Sequence, residues 1–178
     1  MWILSHITRL FRGQKMKAGP DAYRLIMKHE GCHRILPNGK VEAYLCPSGV
    51  WTIGYGHTRT AKQGLVITQS RAIALLNIDV GNAEDDLRKL LKVPVEQHHY
   101  DALISWVYNF GYVHAVESTL MRLLNQGNYA GAAAEFKKWN KERKPGGKVV
   151  TLPGLIARRA DEVKLFTSGD RQDHAPLA

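Results

Sequence analysis

The apolar residues that follow Thr68 have helical spacing. They recur three and four positions apart for about six turns, which predicts one long helix. The positions concerned are Ile73, Leu76, Val80, Ala83, Leu87, Leu90 and Leu91. Shorter helical patterns, with Asp21 and Ser118 as predicted N-caps and Gly31 and Gly111 as predicted ends, complete a mostly helical chain. These patterns cover residues 21–30, 100–110, 118–127, 129–139 and 155–166.

The segment between Cys32 and His57 has a different composition. Pro37-Asn38-Gly39 is a turn signal, and Val50-Trp51-Thr52-Ile53 is a short run of residues with high β propensity. We therefore expect a small antiparallel sheet in this segment. The predicted fold class is α+β and mostly helical, with a small antiparallel sheet lobe joined by the long helix to a helical lobe.

Both ends of the chain differ from the part between them. Residues 1–18 are a predicted basic, amphipathic extension without an acidic residue, and their apolar run stops at Leu4, too early for a cleavable signal peptide. Two interpretations of residues 2–17 stay open: a helix that contacts an anionic outer membrane or other lipid, or an extension that packs on the domain. Residues 19–167 form the predicted domain, and residues 168–178 a loose polar tail.

The charge of the chain restricts its partners. There are 25 Lys and Arg residues against 16 Asp and Glu residues, a formal net charge of +9, which favours an anionic partner. Eight of these cations lie between Lys137 and Arg159, and we interpret them either as a cationic cleft wall or as a solvated helical face. No nucleic-acid partner is expected, because no recognised reading motif accompanies the charge. No apolar run reaches the ~18 residues that a membrane span requires.

Several stretches of the chain together resemble one known family. The pattern resembles the phage-type lysozymes, or endolysins, of glycoside hydrolase family 24, over roughly residues 20–166. The matching stretches are His29-Glu30-Gly31, Ala43-Tyr44-Leu45-Cys46, Trp51-Thr52-Ile53-Gly54-Tyr55-Gly56-His57-Thr58, Ser105 to Gly111, Lys138-Trp139, and Gly154 to Arg159. The resemblance implies a lysozyme-like catalytic domain that works as a monomer on peptidoglycan glycan strands, without a metal or another cofactor.

Glycosidic bonds need a carboxylic acid that protonates the leaving oxygen. Glu30 is the candidate acid, and we expect it at a helix end, facing the sheet and a partly apolar wall. By the resemblance, Cys46 stands at the family's second catalytic position, which is Asp or Cys, and Thr52 orients the attacking water. These residues predict an inverting hydrolysis.

Four further residues are candidate substrate contacts by the same resemblance. Each of them is equally explained as support for the fold. They are Tyr55, His57, Asn109 and Trp139.

The spacing of the catalytic residues departs from the family pattern. Fifteen residues separate Glu30 from Cys46, whereas about eight are usual in the family. A lengthened hairpin around residues 33–40 can absorb the additional residues without moving its two ends. Glu42 is a rival acid, although its position before Ala43-Tyr44 is usually a solvated strand site.

Two other motifs overlap the predicted site. His29-Glu30-Gly31-Cys32-His33 has the H-E-x-x-H pattern of zinc metallopeptidases, but that pattern needs an uninterrupted helix, which Gly31 argues against. Cys32 and Cys46 flank the same loop, and a disulfide between them would keep the enzyme inactive until it is reduced or exchanged. The alternative is two independent free thiols.

The sequence therefore predicts an endolysin that hydrolyses the β-1,4 bond between N-acetylmuramic acid and N-acetylglucosamine, for host cell lysis. Two alternatives remain: a lytic transglycosylase that uses Glu30 alone, and a non-enzymatic cationic protein that binds cell wall or membrane. We expect synthesis in the host cytoplasm and action on peptidoglycan in the periplasm or cell wall. Release through a separate membrane pore is the default expectation for export.

Overall fold

A computed structural model describes residues 16–143 and 146–169, and this part of the chain has the predicted α+β fold. Six α-helices, one 3-10 helix and three two-stranded antiparallel sheets form within it. In chain order the elements are α1 (Pro20–Glu30), β1 (Val41–Glu42), β2 (Tyr44–Leu45), β3 (Trp51–Thr52), β4 (Val66–Ile67), α2 (Gln69–Leu90), α3 (Gln97–Val116), α4 (Thr119–Asn125), α5 (Tyr129–Glu135), the 3-10 helix (Phe136–Lys138), β5 (Lys141–Arg143), β6 (Val149–Thr151) and α6 (Pro153–Phe166).

The predicted small sheet lobe is confirmed. Strand β1 pairs with β4, with Val41 opposite Ile67, and β2 pairs with β3, with Tyr44 opposite Thr52 and Leu45 opposite Trp51. Because side chains alternate between the faces of a strand, one face of these short pairs supplies a small core. The core of this lobe consists of Val41, Ala43, Ile53, Ala72 and Leu75.

Helix α2 joins the two lobes, as the spacing of its apolar residues predicts. It has 22 residues, which gives a length of about 33 Å. The hydroxyl of Thr68 caps its first turn by accepting from the Arg71 N–H at 3.1 Å. Ala72 and Leu75 pack in the sheet lobe, whereas Val80 and Leu87 pack in the helical core.

Helix α3 lies at the centre of the helical lobe. Leu103, Ile104 and Trp106 are fully buried on it. Gly111 ends the first and longer helical segment of α3, as predicted: its φ of +75 and ψ of 171 are not helical, and a second, short segment follows to Val116. A residue without Cβ tolerates this backbone conformation, which would strain any other residue.

The ends of the other helices agree in part with the sequence patterns. Ser118 caps α4 by accepting from the Met121 N–H at 3.0 Å, as predicted. The predicted cap Asp21 is wrong: Gly19 precedes the helix, Pro20 begins it, and Asp21 lies in the first turn. Asp101 accepts from the Gly19 N–H at 2.8 Å and thereby ties this helix start to α3.

One element is absent from the sequence prediction. Strands β5 and β6 form a hairpin with Lys141 opposite Thr151 and Arg143 opposite Val149. The intervening sequence contains Pro145-Gly146-Gly147, a turn signal that a helical interpretation of this region does not take into account.

Several predictions lie outside the described residues. Residues 1–15 carry most of the predicted amphipathic extension, and residues 170–178 most of the predicted tail. Within the described residues, none of the helices combines the length and the apolarity that a bilayer crossing requires.

Burial of α3 leads to a stability prediction. Leu103→Ala removes a side chain that is 0% exposed, and we expect it to lower the free energy of unfolding by about 2–5 kcal/mol. Val113→Ala is the matched control, because Val113 lies on the same helix and is 70% exposed, so that its effect stays within about 0.5 kcal/mol. Urea denaturation followed by circular dichroism measures both. Equal losses in the two variants would contradict the burial of Leu103.

Candidate active site

Glu30 is the last residue of α1, which places its carboxylate at the edge of the helical lobe. Gly31 ends the helix with φ +64, and its N–H still donates to the Met27 carbonyl at 3.1 Å. A Cβ on Gly56 would lie 3.0 Å from Oε2 of Glu30, so the sheet lobe approaches the carboxylate closely at this glycine. The side chain of Glu30 is 22% exposed, which leaves it accessible from the cleft.

The expectation of an apolar wall next to Glu30 is wrong on the side of α6, where the neighbouring side chain is an arginine. Arg158, which is buried, donates from Nη1 to Oε1 of Glu30 at 2.5 Å. This contact fixes one carboxylate oxygen and leaves the other directed towards Gly56. The sequence alone places Arg158 in a cluster of surface cations, since arginine is rarely buried unless it is paired.

The interpretation of Arg158 and Arg159 as part of a cationic cleft wall or a solvated face is also wrong. Both are buried, and both pair with the fully buried Glu162 one turn further along α6. Ser105 of α3 donates its hydroxyl to Oε1 of Glu162 at 2.8 Å. Burial lowers the pKa of Arg159 to about 10, against the opposing effect of Glu162, and the guanidinium therefore stays charged at neutral pH.

Cys46 lies in the turn that connects β2 and β3. The turn is closed by the Cys46 N–H, which donates to the Val50 carbonyl at 3.0 Å. The thiol Sγ is 2.9 Å from the hydroxyl of Ser48. This hydrogen bond, with smaller contributions from the backbone and from Thr52, lowers the pKa of Cys46 to about 7. A large fraction of this thiol is therefore thiolate at neutral pH.

Thr52 is on the strand that follows this turn. It is 5% exposed, and its hydroxyl donates to the Val50 carbonyl at 3.1 Å. Tyr44 lies directly opposite on β2. Burial raises the pKa of Tyr44, and the negative charges of Cys46 and Glu30 raise it further, so this ring is close to both groups.

The additional residues between Glu30 and Cys46 form a hairpin of their own, as expected. Ile35 forms an antiparallel bridge with Val41, and the Leu36 N–H donates to the Lys40 carbonyl at 2.8 Å. Glu42, the rival acid, pairs with Arg34 of this hairpin at 3.0 Å. The carboxylate of Glu42 is therefore already paired with a side chain of this hairpin.

The four candidate substrate-binding residues differ in how far their side chains are exposed. The imidazole of His57 is buried, with Nδ1 2.7 Å from Asp79 and Nε2 2.9 Å from Thr60, so it supports the junction of the sheet lobe with α2. Tyr55 is half-buried, and its carbonyl accepts from the hydroxyl of Tyr108 at 2.6 Å.

Asn109 and Trp139 lie further along the helical side of the cleft. Asn109 is half-buried, and its side-chain oxygen accepts from Nη2 of Arg159 at 3.1 Å. Trp139 is half-buried too and packs on the ring of Phe110 at 4.8 Å between centroids. Both side chains keep exposed atoms, in contrast to His57.

His29 and His33 do not have the geometry that a zinc metallopeptidase requires. The helix ends at Glu30, so His33 is not on the same helix as His29. His29 instead contacts Asp161 at 2.8 Å, and His33 packs on Tyr44. Among residues 16–143 and 146–169, no group of three His, Cys, Asp or Glu side chains is arranged to hold a metal ion.

Both thiols are free in the structure, so a disulfide between Cys32 and Cys46 is not formed in this state. Cys32 is half-buried, and burial raises its pKa above the usual range. The two cysteines therefore differ in reactivity.

Cleavage of a glycosidic bond requires a carboxyl group on one side of the sugar and a group that holds water or charge on the other. In this structure Glu30 ends α1 on the helical side, whereas Cys46 and Thr52 belong to the β2–β3 hairpin of the sheet lobe. The class of protein defined by this fold and site is a lysozyme-type glycoside hydrolase.

Comparison with known proteins agrees with this class. The profile of the phage lysozyme family matches residues 28–162. An endolysin of Acyrthosiphon pisum secondary endosymbiont phage 1 is 45% identical over 144 residues, which are 81% of this chain and 93% of that protein. The solved endolysin from Escherichia coli O157:H7 phage FAHEc1 is 34% identical with a TM-score of 0.78, over 86% of this chain and 95% of that one.

A second solved structure is similar to the same extent. The muramidase domain of SpmX from Asticaccaulis excentricus is 33% identical with a TM-score of 0.75, over 84% of this chain and 97% of that one. The chain belongs to the phage lysozyme family, which confirms the resemblance found in its sequence. It is a peptidoglycan-lytic enzyme of the endolysin type.

The approach of Gly56 to Glu30 leads to a prediction for two glycines. Gly56→Ala and Gly64→Ala both place Cβ on a backbone with positive φ, +86 and +75, and each costs about 1–2 kcal/mol of stability. Only Gly56→Ala meets the Glu30 carboxylate, since nothing lies within 4 Å of Gly64. We expect roughly a hundredfold loss of activity in Gly56→Ala alone, measured by clearing of a peptidoglycan suspension. Equal activity of the two variants would contradict this contact.

The hydrogen bond from Ser48 leads to a prediction for Cys46. We expect its alkylation by iodoacetamide to rise with pH with a midpoint of about 7, because the thiolate is the nucleophile. Ser48→Ala removes the largest cause and moves the midpoint upward. Cys32 is the internal control, because burial raises its pKa and its alkylation midpoint should lie above that of an ordinary thiol. Mass spectrometry of the two cysteine-containing peptides measures the alkylation of each residue. A Cys46 midpoint at or above about 8.5, the value of a free thiol, would overturn the assignment.

Proposed function

We propose that this enzyme is a muramidase that hydrolyses the β-1,4 bond between N-acetylmuramic acid and N-acetylglucosamine in peptidoglycan, for host cell lysis. The observation that supports the proposal most directly is the placement of Glu30 at the end of α1, held by Arg158 and approached by Gly56 of the sheet lobe. One solved relative is a muramidase domain, and several relatives are endolysins.

Glu30 is the proposed acid. Arg158 has only N–H donors, so the oxygen that it contacts accepts a hydrogen bond and the proton resides on the other one, Oε2. Oε2 lies beside Gly56, where the absence of a side chain keeps this oxygen uncovered. Protonation of the bridging oxygen breaks its bond to the anomeric carbon while positive charge develops there.

Cys46 and Thr52 are proposed to hold the attacking water. The Thr52 hydroxyl donates its hydrogen to the Val50 carbonyl, so its lone pairs accept a hydrogen from water. The Cys46 thiolate takes the proton that the water loses as its oxygen bonds to the anomeric carbon. The anomeric configuration inverts: water supplies the hydroxyl of the new reducing end and a proton to Cys46, and Glu30 supplies the proton of the leaving sugar. A proton then passes from Cys46 to Glu30 through solvent, which restores both groups.

A lytic transglycosylase on the same bond is the second candidate. The observation that favours it is the thiol at position 46, which stands where a second catalytic carboxylate would otherwise be. A transglycosylase does not need that carboxylate, because a hydroxyl of the sugar replaces the attacking water and Glu30 is the only catalytic carboxyl group. The non-enzymatic alternative is wrong, because the chain belongs to a family of lytic enzymes. The lipid contact that it assigned to residues 2–17 falls mostly outside the described residues. We further propose that the enzyme works as a monomer, without nucleic acid as a partner, and that it is made in the host cytoplasm and acts in the periplasm or cell wall.

Product analysis for Glu30→Gln tests the proposed function. We expect wild-type enzyme to release muropeptides with reducing ends and Glu30→Gln to be slower by about 10²–10⁴-fold, because an amide is not acidic enough to protonate the bridging oxygen. Mass spectrometry of digests of purified peptidoglycan measures both. Glu117→Gln is the matched control, because Glu117 is exposed at the far end of α3.

Other outcomes of this experiment have defined meanings. Anhydro products would show the transglycosylase. No glycan cleavage by the wild type would refute both enzymatic candidates.

A further inference from the structure

A groove on the helical lobe lies where the end of α2, the last turn of α3 and the start of α4 meet. Its volume is about 590 Å³, which is within the usual range for pockets that hold a ligand. The side chains that define it combine positive charge with apolar surface, and they are not residues of the candidate active site. They are Lys89, Lys92, Tyr112, Val116, Met121 and Arg122.

The shape of this groove is fixed by the fold. The side-chain oxygen of Asn125 on α4 accepts from the Lys92 N–H at 2.8 Å, and its NH2 group donates to the Leu90 carbonyl at 2.9 Å. Met121, which is buried in the helical core, lines the groove from α4. The backbone that carries Lys92 is therefore held against α4, and the groove is preformed in the folded domain.

The groove carries unneutralised positive charge. Lys92 and Arg122 are exposed, and in the described part of the chain neither side chain forms a hydrogen bond or an ion pair. Lys89 is paired with Asp86 at 2.9 Å. Among the described residues, three cations line the groove against one carboxylate, that of Glu117. This excess of charge favours an anionic ligand.

The second feature of the groove is exposed apolar surface on the short segment that ends α3. Tyr112, Val113 and Val116 are 38%, 70% and 48% exposed, whereas Ala115 of the same segment is fully buried. The ammonium group of Lys89 lies 5.4 Å from the centroid of the Tyr112 ring. Apolar side chains grouped beside cations, in contrast to single ones, indicate an interaction surface.

A partner must therefore offer negative charge and an apolar region side by side. A soluble polyanion satisfies only the cations and leaves the apolar side chains in water. The surface of an anionic phospholipid membrane satisfies both, because its headgroups attract lysine and arginine. Tyrosine also favours this interface, where its ring meets the acyl boundary and its hydroxyl stays hydrated.

We propose that the groove surface, defined by Lys89, Lys92, Tyr112, Val116 and Arg122, binds the anionic headgroups of a phospholipid membrane and holds the enzyme at the membrane surface. This contact lies on the folded domain and is distinct from the one considered for residues 2–17. It goes beyond the proposed function, because no residue of the active site takes part in it.

Binding of the full chain to vesicles tests this inference. Vesicles of phosphatidylcholine alone, and of phosphatidylcholine mixed with phosphatidylglycerol, are separated from free protein by flotation, and the partition coefficient is measured at physiological salt. We expect binding to the mixed vesicles alone. Lys92→Gln/Arg122→Gln should lower the partition coefficient roughly thirtyfold, because each cation near an anionic surface contributes a similar amount to binding.

Two matched controls separate the groove from the general charge and apolarity of the chain. Lys62→Gln/Arg71→Gln removes the same charge at exposed positions outside the groove, before β4 and in the first turn of α2. It should change the partition coefficient little, because charges away from the bound surface are screened. Tyr112→Ser should weaken binding several-fold, whereas Ile73→Ser, at a position that is also 38% exposed, should not. Circular dichroism verifies that each variant is folded.

The opposite results overturn the inference. Equal losses in the two double variants would show that net charge alone carries the binding. Unchanged binding of Lys92→Gln/Arg122→Gln would place the lipid contact elsewhere in the chain. If that variant loses binding to soluble polyphosphate while the wild type binds no vesicles, the partner is a polyanion and not a membrane. None of these measurements depends on cleavage of peptidoglycan, so a failure of the proposed function is detected separately.

Discussion

Glu162 is fully buried on α6, where its carboxylate pairs with the guanidinium groups of both Arg158 and Arg159. Buried charges are costly unless they are paired and hydrogen-bonded. The carboxyl groups of Glu162 and Glu30 both accept from guanidinium groups in this network, with the hydroxyl of Ser105 as a further donor to Glu162. Glu30 is therefore a member of the ionic network that allows α6 to pack against α3. The predicted acid and the helical core depend on each other.

The position of the sheet lobe depends on a second set of polar contacts. Tyr108 of α3 donates to the Tyr55 carbonyl, and burial raises the pKa of this tyrosine, so that its hydroxyl remains a donor. His57 is fixed by Asp79 of α2. These bonds lie on both sides of Gly56, the point at which the sheet lobe approaches Glu30. The distance across the cleft is thus set by hydrogen bonds between the lobes, in addition to the helix that joins them.

Local patterns are sufficient to predict the helices, the sheet lobe and the end of α1 at Glu30. These features depend on residues three or four positions apart, or on a single glycine. The roles of Arg158, Arg159 and His57 cannot be predicted in this way. Arg158 contacts a residue 128 positions away, and His57 one that is 22 positions away. A basic residue is normally exposed. These residues are buried only because folding brings a distant hydrogen-bonding partner next to each of them.

The thiol at position 46 can serve in place of a carboxylate only if it carries charge at the pH of the reaction. Ser48 and the backbone of the turn supply the donors that favour the thiolate, whereas Cys32, half-buried and without such donors, has its pKa raised. The difference in pKa between the two thiols arises from the hydrogen bonds of a tight turn of four residues and not from the distance of either thiol to Glu30. The hairpin that lengthens the chain between residues 31 and 41 therefore leaves the chemistry of Cys46 unchanged, because the groups that set its charge all lie after that hairpin.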